Sequence, residues 1–148
     1  MASKAKITPR TGKHANWTSF PLNEESPKRI IKRISAGAPF GTLLKVQEML
    51  AIDAGKLSKT LQMSSRTFAR RKVEGKLAPP ETDRLLRLMR AYDHAVRLYE
   101  GNTAAALSWL KRPNRALEDL APLELLETET GAILVENLIG RLEYNVVS

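Results

Sequence analysis

Between Ser64 and Lys72 the chain reads SSRTFARRK, a run that carries Arg66, Arg70, Arg71 and Lys72 within two helical turns. Arginine presents a planar fork of donors that matches the O6 and N7 acceptors of guanine, and an α-helix fits the major groove of duplex DNA. Arg66 and Arg70 are four residues apart and share one helical face. Ser64, Ser65, Arg66 and Thr67 fall in the first turn, where a recognition helix reaches base edges. Thr67 suits a phosphate or a thymine methyl. Lys59, Arg71, Lys72 and Lys76 are better placed for phosphates, which position a protein on DNA without reading its sequence.

Other chemistry is poorly supplied. The chain has two histidines, His14 and His94, and no cysteine. No metal-ligand spacing, nucleophile elbow or glycine-rich phosphate loop occurs. These absences predict a protein that is not an enzyme and holds neither metal nor cofactor. No apolar run approaches a membrane span, and the basic start MASKAKITPR lacks a secretory apolar stretch. A cytoplasmic chain is the expectation.

Net charge is +8 and unevenly spread. Residues 1–76 hold 16 Lys and Arg against 5 Asp and Glu, whereas residues 77–148 hold 8 against 11. From Leu117 onward Arg141 is the single basic residue against seven acidic ones. One end suits a polyanion and the other does not.

The elements that position the basic run read as helices throughout. Residues 1–24 form a basic flexible arm without apolar period. Ser26 caps a helix opened by Pro27, which Gly37, Pro39 and Gly41 break. Leu43, Leu44, Val46, Gln47 and Leu50 follow at helical spacing. Asp53 caps a short helix with Leu57 and Leu61, and a tight turn at Gln62 and Met63 leads into SSRTFARRK. That is a helix-turn-helix, with Leu57, Leu61 and Phe68 in its shared core and small Ser58 at the approach. Gly75 and Pro79–Pro80 end the unit. Leu85, Leu86, Met89, Tyr92, Val96 and Tyr99 mark a long amphipathic helix ended by Gly101. Ala105 to Leu110 form another, stopped by Pro113. A short PLELL segment precedes a last helix from about Glu129 to Glu143. The fold class is all-α: a helix-turn-helix unit over 25–90, joined by the long helix to a small helical domain over 91–148.

Several residues admit a bland reading. Trp109 is expected in the core, Asn114 as a turn residue, and Asp93 and His94 on the surface. Glu124, Glu127 and Glu129 serve as caps and solvated carboxylates as readily as partner contacts. The end of the chain, GRLEYNVVS, differs: Tyr144, Val146 and Val147 follow the last expected core position, Leu142. Fraying, packing in a dimer, or docking into a partner all account for it.

Residues 66–88, RTFARRKVEGKLAPPETDRLLRL, resemble the helix-turn-helix of Xre/ParS/MbcA-type antitoxins. The likeness is more specific after Trp109-Leu110: Pro113-Asn114 with Ala116-Leu117, Pro122 to Leu126, Thr128-Glu129, Gly131, and Gly140 to Tyr144 all match that family's toxin-binding domain. The resemblance covers roughly residues 43–148. It implies a type II antitoxin that dimerises, occupies a RES-domain toxin that consumes NAD, and represses its own operon by binding operator DNA. It further implies that the C-terminal end, Glu143, Tyr144, Asn145, Val146, Val147 and Ser148, enters the toxin's active-site cleft. Three positions depart from the family pattern. Asn145 and Val147 stand where glycine and an aromatic residue are usual, and Gln62 stands at a turn position that favours glycine. The competing expectation is a free-standing dimeric helix-turn-helix regulator with no toxin partner.

Overall fold

A computed structural model describes residues 26–147, with the side chains of Val146 and Val147 left out. The expected basic arm over residues 1–24 and residue Ser148 lie outside it. The described residues are α-helical: α1 (Pro27–Ala36), α2 (Phe40–Leu50), α3 (Ala54–Thr60), α4 (Ser65–Glu74), α5 (Pro79–Leu98), α6 (Thr103–Lys111), a 3₁₀ turn (Arg115–Leu117), α7 (Pro122–Leu125) and α8 (Glu129–Val147). Two isolated antiparallel bridges, Pro39 with Lys76 and Asn114 with Leu120, are the extended pairings among these residues.

Most helix starts follow from local capping chemistry. The side chains of Ser26, Asp53, Ser64 and Asn102 each accept a backbone N–H three residues ahead, satisfying a donor that the first helical turn leaves open. Asn114 does the same for Ala116 at the 3₁₀ turn, so it is the turn residue expected. Two punctuation signals act differently from the sequence reading. Gly41 is the second residue of α2, and the break before that helix is made by Gly37 to Pro39. Pro79 and Pro80 open α5 rather than merely ending the unit before it. Proline suits the first helical positions because those N–H groups have no intrahelical partner.

The 20-residue α5 is the spine and spans about 30 Å. It packs against α1, α6 and α8. Leu85, Leu86, Leu88 and Met89 on this helix are buried in one apolar core that runs from Ala38 and Phe40 to Val135 and Ile139. The expected boundary at residues 90/91 falls inside α5. Trp109 is in the core, at 5% exposure.

α8 runs in the same direction as α5. Arg87 pairs with Glu129 at 3.1 Å, and further along both helices Glu136 receives Arg90 at 2.8 Å and His94 at 3.2 Å. Polar ties also cross from the helix-turn-helix to the later helices: the Gln62 side chain donates to the Glu127 carbonyl, and Lys111 Nζ donates to the Ala51 carbonyl at 2.9 Å. The start of α8 depends on a missing side chain. A Cβ at Gly131 would lie 1.9 Å from the Leu125 carbonyl oxygen. Gly131→Ala is expected to cost about 2–3 kcal/mol through overpacking against backbone, read as a lowered midpoint in urea unfolding.

Candidate functional site

Helix α4 buries none of its own residues, so its orientation rests on a few contacts. At its start, Ser64 Oγ accepts the Thr67 N–H at 3.0 Å and donates to Thr67 Oγ1 at 3.1 Å. At its end, Gly75 adopts φ 84° as the C-cap, and its carbonyl accepts the Phe40 N–H at 2.9 Å. Between the two ends, Phe68 meets Phe40 edge-on, with ring centroids 5.3 Å apart.

The strongest anchor is a carboxylate on α5. Glu81 Oε1 accepts Arg71 Nε at 2.7 Å and the Ala78 N–H at 2.8 Å, while Oε2 accepts Arg71 Nη2 at 3.0 Å. Arg71 Nη1 also donates to Glu74 Oε1 at 3.0 Å. Arg71, expected as a phosphate contact, also has a structural part: its guanidinium fixes α4 on α5. The reason is non-local, since the partner carboxylate lies ten residues on, across the Gly75 turn. Burial by itself pushes the Glu81 carboxyl up, but the bonds from Arg71 and the Ala78 N–H outweigh it and hold the group below its ordinary 4.5.

With Phe68 and Arg71 turned inward, the opposite face of α4 points outward. Arg66, Arg70, Lys72, Lys76 and Lys59 are exposed, as are Ser64 and Ser65, and Thr67 is half-buried. Arg66 and Arg70 stand on one face as their spacing requires. Val73, three residues beyond Arg70, joins that face at 87% exposure. Val73 was not among the residues expected there, although its i+7 spacing from Arg66 is the available signal. The turn before α4 takes a left-handed residue without glycine. Gln62 has φ 56°, a conformation that costs most side chains energy, and its amide is held by the Glu127 carbonyl.

The second candidate surface is the end of α8. Glu143, Tyr144 and Asn145 are exposed, with Tyr144 at 77%. Here the structure corrects the sequence reading, which closed the helix over Gly140 to Glu143 and treated Tyr144 to Ser148 as a separate tail. α8 continues to Val147, and Asn145 is not among the residues with positive φ. Neither proline nor glycine follows Gly140, half-buried Leu142 fixes the helix on the core, and each further helical residue gains a backbone bond once the helix exists. The helix therefore runs on through Asn145. The other candidates take structural roles. Glu124 accepts the Ala121 N–H, Glu129 pairs with Arg87, Asp93 pairs with Arg97, and His94 faces Glu136. Among the described residues no group of acidic and histidine side chains could hold a metal ion, and no helix is long and apolar enough to cross a membrane.

Comparison with known proteins fits both surfaces. Residues 29–90 match the antitoxin Xre-like helix-turn-helix domain, and residues 94–144 match the antitoxin Xre/MbcA/ParS C-terminal toxin-binding domain. An antitoxin Xre of Photorhabdus laumondii is 33% identical over 133 residues, covering 89% of this chain and 90% of its own. An antitoxin Xre of Yersinia enterocolitica is 32% identical over 142 residues, covering 95% and 96%.

The chain belongs to the Xre/MbcA/ParS antitoxin family.

This antitoxin is a regulatory protein and not an enzyme, with a helix-turn-helix unit and a toxin-binding domain in one chain, the make-up of a type II antitoxin. α4 is the second helix of that unit.

The Arg71–Glu81 pair makes the posture of α4 sensitive to acid. The folded-state pKa of Glu81 is depressed, so its contribution is fully present above the ordinary 4.5 and is lost as pH falls through the lowered value. Glu81→Gln is expected to cost about 2 kcal/mol near neutral pH, as for a partly buried charge-assisted pair. It should also flatten the dependence of stability on pH in the acid range, measured by urea unfolding across a pH series.

Proposed function

We propose that this antitoxin neutralises a RES-domain, NAD-consuming toxin with the C-terminal end of α8, and binds operator DNA through α4 to repress its own transcription. The observation that supports the reading is the division of the molecule. α4 is anchored on its inner side and turns Arg66, Arg70 and Val73 to solvent at one end of the spine. α8 runs past Leu142 toward the other end, carrying exposed Glu143, Tyr144 and Asn145. The choice of a RES-domain partner rests on the family resemblance of the Pro113 to Tyr144 motifs.

On DNA, Arg66 and Arg70 pair with guanine edges, and Val73 on the same face lies against a thymine methyl. Ser65, Thr67, Lys59, Lys72 and Lys76 contact phosphates and backbone. A homodimer presents two copies of α4 to half-sites about one helical turn apart, or a multiple of that. On the toxin, the end of α8 enters the cleft as a helix that carries exposed Tyr144. Asn145 and Val147 are where partner specificity is set.

Arg66→Ala and Arg70→Ala are each expected to cost about 1–3 kcal/mol of operator binding and to relax base preference. Lys76→Ala should weaken binding evenly across sequences and lower the salt slope by about 1. Gel shifts over a salt series check both, and an unaltered shift for the double Arg66/Arg70 variant refutes the DNA-reading face. For the toxin, a chain ending at Leu142 should fail to rescue cells expressing the toxin encoded beside it. Full rescue by that shortened chain refutes the inserted end.

A further inference from the structure

Helix α3 is gripped at both ends by the later helices. Before it, the Ala51 carbonyl accepts Lys111 Nζ from the end of α6 at 2.9 Å. After it, the Gln62 amide donates to the Glu127 carbonyl, in the turn between α7 and α8. Ala51 and Gln62 both have left-handed backbone, with φ 54° and 56°. Glycine takes that conformation without steric cost, whereas alanine and glutamine do not.

Ala51 has a local reason, since it caps α2 and a left-handed residue is a common way to end a helix. Gln62 is different. Its N–H bonds the Lys59 carbonyl at 3.0 Å, and the Met63 N–H bonds the Ser58 carbonyl at 2.8 Å. A glycine would make the same backbone turn with less strain. What glutamine adds is the side-chain amide, which reaches a carbonyl 65 residues on.

That bond lies at the surface, where a neutral hydrogen bond stabilises a fold only modestly. Its direction matters more. Gln62 stands two residues before Ser64, the cap of α4. The other anchors of α4, at Phe68, Arg71 and Gly75, lie further along the helix. Its first turn, with Ser65, Arg66 and Thr67, is therefore held from the Gln62 side. Buried Met63 and the Arg84 guanidinium, 3.3 Å from the Leu61 carbonyl, complete that support.

We propose that Gln62 is a positioning residue for DNA reading: through its bond to the Glu127 carbonyl, the toxin-binding domain becomes one side of the mount that aims the first turn of α4. This rests on the reading of α4 as the operator-reading helix. A bidentate pair with a base edge depends on the angle of the arginine fork, whereas phosphate contacts carry no sequence information. Loosening the mount therefore lowers discrimination between sequences and spares the charge-driven part of binding.

The test uses the full chain, a duplex from the promoter of its own gene and an unrelated duplex of equal length, with fluorescence anisotropy over a salt series. Gln62→Gly relaxes the left-handed turn and removes the strut. Its urea midpoint should stay close to that of the unaltered protein, while its preference for the promoter duplex falls about fivefold, the equivalent of one ordinary hydrogen bond. The salt slope should not change, because no phosphate contact is lost. Amide exchange across residues 64–68 should quicken while the core of α5 stays protected. Gln62→Asn tolerates the same backbone with a side chain one methylene shorter, so it should behave alike and serves if the glycine variant fails to fold. Unchanged promoter preference in both variants overturns the inference. So does a loss that falls equally on both duplexes with a lowered urea midpoint, which makes the bond a matter of stability alone. If the double Arg66/Arg70 variant reads the promoter normally, the DNA-reading face falls and the role of Gln62 with it. If that variant fails and Gln62→Gly reads normally, the role of Gln62 alone falls.

Discussion

The bidentate pair between Arg71 and Glu81 is the constraint on which the presentation of α4 depends. A helix that fully buries none of its residues and packs mainly through half-buried Phe68 has little hydrophobic packing to fix its angle. It needs a few directional contacts, and a guanidinium locked in two bonds to a carboxylate supplies direction as well as energy. Glu81 also accepts the Ala78 N–H at the start of α5, so one side chain both opens the spine helix and aims α4. The Phe40–Phe68 contact and the Phe40 N–H bond to Gly75 set the remaining freedom.

The spine then links the two functions physically. α5 begins under α4 and continues beneath α8, which it grips through Arg87, Arg90 and His94. The turn of the helix-turn-helix is itself tied to the later helices by Gln62 on the Glu127 carbonyl. With one apolar core shared from Ala38 to Ile139, the helix-turn-helix unit and the toxin-binding domain share a single packed interior. Because α8 runs the same way as α5, its exposed end points away from α4. The proposed DNA and toxin surfaces therefore do not overlap.

Much of this was legible in the sequence where the cause is local. Ser26 with Pro27, Asp53, Ser64 and Gly75 mark their helix ends through bonds within a turn, and the charge asymmetry sets the two ends of the chain apart. Long-range causes were not legible. Arg71 reads as one cation among several until Glu81 is seen folding back onto it. Pro79 and Pro80 read as a terminator because a proline pair ends one helix and starts another with the same residues. The end of α8 read as a tail because Tyr144, Val146 and Val147 follow the last packed position. Solvent exposure does not end a helix that lacks a breaker.

The most direct test of this arrangement is native mass spectrometry of the antitoxin mixed with the toxin encoded beside it and an operator duplex. Two surfaces at opposite ends of one spine predict a ternary species containing all three components, retaining the antitoxin-to-DNA ratio found without toxin. Strict exclusion, in which added toxin strips the antitoxin from DNA and no ternary species forms, would contradict it.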